Sequence, residues 1–351
     1  IHSIGLIIAA ILQISVLYVT KNFTYFFVAI LVGNIFQWVV TGTVFSKRYK
    51  KHINDNKILD KSIKNNVVVK VKALFLHKIG GLLGNTTDSI IISAFIGVSL
   101  LGFYSNYVAI MVGMVSVLSL IFTSITSIIG HSFAKNTKDI YLKQFKLIYT
   151  INFIVGFVFF LGYYMVIDPL VIILFDNTAF LPRDLVLIIT LNYFIQFMRH
   201  TTLTFKDASG LFYQDRFKPL VEGVANVILS LILVNFWGIK GVLVATIATN
   251  IFITHIVEPH VLFKYGFEKK AKNYYLINYS FIGFFALVLT IIYFIPLYTF
   301  SNNYIAILIY GSSSVLFSLI LFSIAYISSK KIREQLTPLF RLRKTLTRNT
   351  E

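Results

Sequence analysis

Apolar stretches of about 20 residues recur along nearly the whole chain, and each is long enough to cross about 30 Å of membrane hydrocarbon. They are continuous rather than alternating, and polar or charged residues separate them. Backbone polar groups in lipid are satisfied only within helices or closed barrels, and barrel strands would alternate over about 10 residues. The pattern therefore predicts an all-α membrane protein.

The composition agrees with a chain whose solvent is the bilayer. Hydrophobic residues make up 57% of the chain and charged residues 13%, with a mean hydropathy of +0.78. Soluble domains contain about 45–50% apolar residues. Cysteine is absent, which excludes disulfides and thiolate metal sites.

About ten membrane-spanning helices are predicted from these stretches. They cover residues 4–19, 23–45, 79–100, 108–129, 147–167, 185–203, 220–237, 241–263, 276–295 and 304–327.

The chain has a net charge of +18, and its positive residues are concentrated in alternate connections between the predicted spans. Nearly all Lys and Arg fall in every second connection and in the C-terminal tail: residues 47–78, 135–146, 199–218, 264–272 and 330–348. The exceptions are Lys21, Arg183 and Lys240, and the longest opposite connection instead carries Asp168, Asp176 and Asp184. Positive charge concentrates in cytoplasmic loops, so both ends are predicted to be cytoplasmic, and a nucleic-acid partner is not expected.

The one long connection, residues 46–76, is rich in Lys and Asn and is predicted to be a cytoplasmic linker. Its final part, residues 67–76, alternates Val and Lys. Two interpretations stay open for this part: an amphipathic segment on an anionic lipid surface, or a solvated charged loop.

Ionisable groups inside membrane helices are costly, so the few present are candidates for function. Asp88 lies near the middle of its predicted span, close to Asn85 and Thr86. The carboxylate could bind a coupling cation or proton, or it could hydrogen-bond to a neighbouring helix and fix its register.

Arg199 follows Gln196 toward the cytoplasmic end of its predicted helix. Its guanidinium could meet an anionic phosphate in a cavity, or it could extend to the lipid headgroups. Glu222 and Asn226 are one helical turn apart and therefore share a face, which makes pairing of Glu222 with Arg199 a further candidate contact.

Metal binding and catalysis find little support. His255, Glu258 and His260 superficially resemble metal ligands, but they lack the spacing of two histidines one turn apart, and no metal site is predicted. No phosphate-binding glycine loop, nucleophile elbow or compact acidic cluster is present, so the chain is not expected to be an enzyme.

Two stretches resemble Wzx-type polysaccharide flippases. The first runs from Asp88 to Asn106, with Ile90-Ile91-Ile92-Ser93, Gly97, Leu101-Gly102 and Tyr104-Ser105-Asn106. The second runs from Gly210 to Thr246, with Arg216-Phe217-Lys218-Pro219, Glu222, Asn226, Ser230, Gly238-Ile239 and Gly241-Val242. It is followed by Glu258-Pro259 and Tyr265-Gly266-Phe267. Ala245 before Thr246 departs from the glycine expected in this family.

The resemblance implies membership of the multidrug and oligosaccharidyl-lipid exporter superfamily, whose members have two six-helix lobes. Residues 1–45 would then be the last two helices of the N-terminal lobe, with about four helices before them absent. The remaining divisions would be the linker at residues 46–76, a complete C-terminal lobe at 77–267, an appended helix pair at 268–329 and a basic cytoplasmic tail at 330–351.

The function implied is translocation of an undecaprenyl-diphosphate-linked oligosaccharide across the bacterial cytoplasmic membrane by alternating access, for polysaccharide biosynthesis. A cationic cavity would neutralise the diphosphate, and Asp88 or Glu222 would couple the cycle to H⁺ or Na⁺; no other cofactor is expected. Polysaccharide polymerases and glycosyltransferases would be partners, together with membrane lipids. A cation-coupled multidrug antiporter, a membrane enzyme of polysaccharide assembly and a non-transporting scaffold stay as alternatives.

Overall fold

The computed structural model describes residues 2–50, 61–135, 137–175, 180–296 and 300–328. These residues are helical almost throughout and form no strand, which confirms the all-α prediction. Asp176 and the predicted tail at residues 330–351 lie outside the described residues.

Several helices are long and apolar enough to cross a membrane, as expected of a multi-pass protein. Seven such helices occur in the part of the chain that the structure describes: Phe23–Arg48, Val98–Lys135, Lys138–Phe175, Lys218–Trp237, Ile239–Phe267, Lys272–Phe294 and Asn303–Ile324. All ten predicted spans fall largely on helix, but the first, third and sixth are not among these seven.

The chain divides into two compact units, and the first comprises Ile1–Asn66. It contains the antiparallel helices α1 (His2–Thr20) and α2 (Phe23–Arg48). Asn22 caps α2 by accepting a hydrogen bond from the Thr24 amide at 2.8 Å. Ala9 and Ala29 are buried, so small residues let the two backbones approach closely.

The second unit, Val67–Glu351, holds the remaining helices and most of the core. Most of α3 (Lys61–Phe95) belongs to it, and α4 (Val98–Lys135) follows after a break at Gly97. Gly97 has φ +123°, a conformation that glycine adopts without strain.

One boundary prediction in this region was wrong. The helix breaks near Gly97 rather than after residue 100, because Leu101 to Tyr107 continue helically and bury Tyr104 and Tyr107 in the core. The predicted linker at residues 46–76 is helical from Lys61 onward, so its Val and Lys residues form the first turns of α3. Residues 51–60 lie outside the described part.

Helix α5 (Lys138–Phe175) is the central element of this unit and contacts α4, α6 and α12. Helix α6 (Arg183–Met198) ends at a joint, and the short helix α7 (His200–Ala208) follows directly. The predicted connection between the spans 185–203 and 220–237 is therefore partly a helix, and Lys206 within it is buried.

Helix α8 (Lys218–Trp237) is joined through Gly238 to a rod that is not uniformly α-helical. The rod comprises α9 (Ile239–Thr249), a π-helical segment (Asn250–Thr254), α10 (His255–Val261) and a second π-helical segment (Leu262–Phe267). In a π-helical turn the hydrogen bond spans one more residue than in an α-helix, so such a segment rotates the side chains of the next helical turns about the axis.

Helices α11 (Lys272–Phe294) and α12 (Asn303–Ser328) complete the described chain. They are built into the same aromatic core as α5 and α6. Phe281 of α11 stacks on Phe153 at a ring-centroid distance of 3.9 Å, and Phe285 stacks on Phe194 at 3.8 Å. Stacked aromatic side chains of this kind bury large apolar areas and fix the helices in register.

Candidate functional site

A cavity of about 400 Å³ lies in the second unit among α3, α6, α7, α8 and the rod that begins with α9. This volume falls within the range of about 300–1,000 Å³ that is usual for small-molecule sites. Its wall is unusually polar for a bundle whose surface is apolar, and charged side chains from four different segments reach it.

Two cations and two carboxylates meet at this wall, and we call them the four-charge cluster: Arg199, Lys218, Glu222 and Glu258. Arg199 donates to Glu258 through Nη2 to Oε1 at 2.7 Å and through Nε to Oε2 at 3.3 Å. Lys218 Nζ lies 2.7 Å from Glu258 Oε1 and 2.7 Å from Glu222 Oε2. Arg199 Nη1 completes the ring at 4.0 Å from Glu222 Oε1.

The cluster is graded in burial. The side chains of Lys218 and Glu258 are 3% and 2% exposed, whereas those of Arg199 and Glu222 are 23% and 18% exposed. The second pair therefore faces the cavity more openly. Because charge pairs strengthen as the local dielectric falls, Glu258 is the carboxylate on which both cations depend most.

Local chain geometry places the two cations. Arg199 occupies the joint between α6 and α7, where its amide donates to the Gln196 carbonyl at 3.3 Å in a tight turn. Lys218 is the first residue of α8, an end at which the helix dipole disfavours positive charge. Glu222, one turn later, compensates Lys218 as an i,i+4 partner.

The π-helical segment Asn250–Thr254 brings Glu258 to the cavity. On a regular α-helix, Glu258 would lie about 80° around the axis from Asn250, since eight steps of 100° make 800°. If the π-helical turn absorbs one residue, the offset falls to about 20°, and Asn250 and Glu258 share a face. Both residues line the cavity in the structure.

A second charged group closes one end of the cavity. Lys206 pairs with Asp215, whose side chain is fully buried, and His77 Nε2 lies 3.2 Å from Asp215 Oδ1. His77 Nε2 also lies 3.3 Å from the Phe212 carbonyl oxygen. Burial alone would raise the pKa of Asp215, but His77 and the Lys206 ammonium hold that pKa below its ordinary value. These contacts tie α3 to the connection between α7 and α8.

Asp88 belongs to a hydrogen-bonded chain that runs from α3 to α8. Thr246 Oγ1 donates to Asp88 Oδ2 at 2.9 Å and accepts from Asn226 Nδ2 at 2.9 Å. Asp88 Oδ1 and Asn226 Oδ1 are both buried without a hydrogen-bond partner among the described residues. Since buried polar atoms normally have partners, these two oxygens mark a place where a cation or proton could bind.

Helices α3 and α8 approach closely at Gly80 and Pro219, eight residues before Asp88 along α3. A Cβ added at Gly80 would lie 2.4 Å from Pro219 Cβ and 2.6 Å from the Pro219 carbonyl oxygen. No side chain fits in this space, so glycine is required for the contact. Gly80 and Pro219 both line the cavity.

The structure therefore gathers the sequence-predicted residues around one cavity. Gln196, Arg199, Glu222 and Asn226 line it, and Asp88 reaches Asn226 through Thr246. Gln196 Nε2 also donates to Asn192 Oδ1 at 3.2 Å. Asp88 lies seven residues before the end of α3, about 10 Å along the helix.

Several cavity residues were missed from the sequence. Lys206 and Lys218 were assigned to a solvated cytoplasmic connection, yet both are buried. Glu258 was considered as a metal ligand and as part of the family motif but not as a charge partner, yet it lies against Arg199 and Lys218. One signal in the sequence could have identified Lys218, namely its i,i+4 spacing to Glu222.

The expected cationic character of the cavity differs from what is observed. Among its described lining residues, three cations face three carboxylates: Arg199, Lys206 and Lys218 against Asp207, Glu222 and Glu258. The lining is therefore formally neutral when His77 is neutral.

His255 and His260 are not arranged with Glu258 as metal ligands in the described structure. His255 is buried, with Nε2 2.9 Å from the Ile195 carbonyl oxygen and Nδ1 3.2 Å from Asn278 Nδ2. No group of three metal-ligating side chains occurs in the described ranges.

Ion pairs also join connections that the charge pattern assigns to one side. Lys138 pairs with Glu268, and Lys269 Nζ lies 2.5 Å from Asp139 Oδ1, so two predicted cytoplasmic connections meet. Lys240 pairs with Asp184, which joins two connections predicted to lie on the opposite side.

Comparisons with known proteins give no match: no family model fits the chain, and no curated protein or solved structure is similar to it.

Proposed function

We propose that this chain is a multi-pass membrane transporter that moves a lipid-linked oligosaccharide across the bacterial cytoplasmic membrane by alternating access. The observation that carries the proposal is the four-charge cluster in the wall of a cavity inside an apolar helical bundle. Its cargo, an undecaprenyl-diphosphate-linked sugar, comes from the resemblance of two motifs to polysaccharide flippases.

The free-energy cost of burying charged side chains supports a functional role for the four-charge cluster. Taking charges out of water is expensive, and apolar residues of similar volume often stabilise a protein as well as a buried ion pair does. Intramembrane charges accordingly mark substrate or ion pathways. A bundle with a purely structural task would gain nothing from four of them beside a cavity.

The pairing also suggests how an anionic cargo would bind. Arg199 and Glu222 are the more exposed members, and Arg199 already makes a two-point contact with a carboxylate. A phosphate group presents oxygens with similar geometry and can replace that carboxylate. In this proposal Glu258 and Glu222 hold Arg199 and Lys218 in place until the diphosphate binds. After the diphosphate is released, the two carboxylates pair with these cations again.

The topology proposed with this function has ten spans with both chain ends in the cytoplasm. The ion pairs between connections support this topology, because each one joins two connections that are predicted to lie on the same side of the membrane. The two-lobe arrangement implied by the family resemblance, with residues 77–267 as one lobe, is part of the same proposal.

Coupling to an ion gradient would use the chain of Asp88, Thr246 and Asn226. Its two unpartnered oxygens, Asp88 Oδ1 and Asn226 Oδ1, could hold a proton or Na⁺. Binding there would alter the contact between α3 and α8, which form part of the cavity wall. The cargo site and the ion site would thereby be coupled through the same two helices, α3 and α8.

The experiment that tests the proposal uses the full-length gene in its source bacterium. Deletion should make undecaprenyl-linked oligosaccharide accumulate on the cytoplasmic leaflet, and the wild-type gene should clear it. Arg199→Gln should fail to clear it, whereas Arg199→Lys should retain part of the activity. Arg48→Gln is the matched control, because Arg48 is exposed at the end of α2 and does not line the cavity.

A second candidate function is cation-coupled drug export, which the equal number of carboxylates and cations around the cavity favours. Unchanged lipid-linked sugar with altered tolerance of cationic drugs would select it and reject the flippase. Polymerised sugar formed by the purified protein would instead indicate an enzyme of polysaccharide assembly.

A further inference from the structure

A second cavity, of about 330 Å³, lies between α5 and the beginning of α11, away from the four-charge cluster. Its rim contains three lysines, Lys146, Lys269 and Lys270, together with Asn273. We call it the α5–α11 pocket. It opens at the end of the bundle where the connections before α5 and before α11 meet.

Two of the three lysines have no anionic partner. Lys269 pairs with Asp139, and the neighbouring Glu268 pairs with Lys138. Within the described ranges, Lys146 and Lys270 form no ion pair. The pocket therefore retains a net positive charge.

The start of α11 adds to this positive potential. The helix begins at Lys272, and its N-cap residue, Ala271, provides no side-chain hydrogen bond. The first turn contains no acidic residue. The amides of a first turn lack helical partners and carry the positive end of the helix dipole, which favours an anion.

The floor of the pocket is aromatic rather than polar. Phe145, Tyr149, Phe263 and Tyr274 line it, and Phe145 lies 5.6 Å from Phe263 and 5.8 Å from Tyr274 between ring centroids. The hydroxyl of Tyr149 donates to Asn278 at 2.5 Å, and that of Tyr274 lies 3.2 Å from Thr202 Oγ1. All four side chains are nearly buried, and since both hydroxyls are engaged elsewhere, the small part of the rings that lines the pocket is apolar.

We propose that the α5–α11 pocket binds the phosphate headgroup of an anionic phospholipid, with the glycerol and upper acyl chain against the aromatic floor. A basic rim above an apolar floor matches an amphiphile better than a free anion, which would leave the rings unused. Basic pockets between membrane helices at the cytoplasmic surface are known to hold acidic headgroups. This site is separate from the cargo cavity and does not depend on which cargo is carried.

The test uses the purified full chain in phosphatidylcholine nanodiscs with increasing phosphatidylglycerol. Retained lipid is counted by native mass spectrometry, and the thermal unfolding midpoint is followed in parallel. Lys146→Gln/Lys270→Gln should weaken phosphatidylglycerol retention about tenfold. The matched control is Lys143→Gln/Lys78→Gln, which removes two exposed lysines outside the pocket and should leave retention unchanged.

Separate arms distinguish the sources of phosphate. Inorganic phosphate and a short polyprenyl diphosphate are added in place of phosphatidylglycerol, and both should bind more weakly than the phospholipid. Equal loss of retention in both lysine pairs, or no loss in either, would overturn the proposal. So would a thermal shift with inorganic phosphate as large as that with phosphatidylglycerol, or tighter binding of the polyprenyl diphosphate than of the phospholipid. If the double variant does not fold, each single variant and Lys146→Arg/Lys270→Arg, which should retain the lipid, decide the matter.

Discussion

The ion pairs of this protein fall into two regions that use the same side-chain chemistry in opposite surroundings. In the four-charge cluster, Glu258 is almost fully buried between Arg199 and Lys218. At the ends of the bundle, Lys138–Glu268 and Lys240–Asp184 join connections in the open, with side chains 38–65% exposed. Both kinds of pair link segments far apart in sequence.

The difference shows what burial does to a charge pair. Exposed pairs contribute a median of about 0–1 kcal/mol, because water screens them and holding two long side chains costs entropy. A buried pair gives little net stability when intact, but removing one partner strands the other and costs about 3–5 kcal/mol. The exposed pairs can therefore be lost with small effect, whereas the cluster can change partner only when another anion takes the place of a carboxylate.

The largest expected effect comes from Glu258→Gln. It would leave Arg199 and Lys218 sharing only Glu222, and we expect a loss of about 3–5 kcal/mol in the free energy of unfolding. Unfolding in detergent, followed by circular dichroism, would measure it. Glu268→Gln, on an exposed pair, is the control and should change stability by less than about 1 kcal/mol. Equal losses in the two variants would remove the contrast between the regions.

A somewhat smaller loss is expected for Lys206→Met. Asp215 would stay buried but would keep His77, so the loss should lie near the lower end of about 3–5 kcal/mol. The double variant Lys206→Met/Asp215→Leu removes both charges and should recover most of the loss, as a double-mutant cycle would show. No recovery would mean that the pair does not act as a buried unit.

Thr246→Val tests the uncharged part of the cavity wall at similar side-chain volume. It removes the donor to Asp88 and the acceptor for Asn226, and we expect a loss of about 1–3 kcal/mol together with weaker coupled transport. Thr249→Val is the control, because among the described residues the Thr249 hydroxyl bonds only to carbonyls of its own helix. A smaller effect for Thr246→Val than for its control would contradict the role of the chain from Asp88 to Asn226.

The smallest effect is expected for Asp184→Asn, which breaks an exposed pair just before the predicted span 185–203. The loss should be about 0–1 kcal/mol at neutral pH. Hydrogen bonding from Lys240 lowers the pKa of Asp184. Its contribution is therefore complete above the ordinary Asp value of about 3.9 and disappears as pH falls through the lowered value. Unfolding curves of wild type and variant should converge at low pH, and divergence there would contradict this sign.

Most of the fold could be predicted from the sequence, because spans of apolar residues mark helices wherever lipid is the solvent. Boundaries were less predictable. Polar residues at 101–107 indicated a connection, but Tyr104 and Tyr107 pack into the core and the chain breaks at Gly97 instead. Nothing local in Gly97 distinguishes it from the helical Gly102.

The candidate site was half predictable for a related reason. Arg199, Glu222, Gln196 and Asn226 could be found because polar residues within apolar spans are conspicuous. Lys206 and Lys218 could not be found in this way, because a lysine in or beside a connection is usually solvated. Only the tertiary packing of the bundle buries these two side chains. The contact of Glu258 depends on an irregular helix, and sequence patterns of regular period cannot show it.

The π-helical segment at Asn250–Thr254 determines which residues of α9 and α10 share the face that lines the cavity. If that turn contains one extra residue, the side chains of α10 are placed around the axis as they would be on a regular α-helix with one residue fewer. The cavity-facing residues of α9 and α10 then share one face. Deleting a single residue there would restore a regular helix with both faces kept, whereas regularising the turn without a deletion would rotate Glu258 about 100° away from its cations. In this rod the number of residues, as much as their identity, decides which side chains the cavity contains.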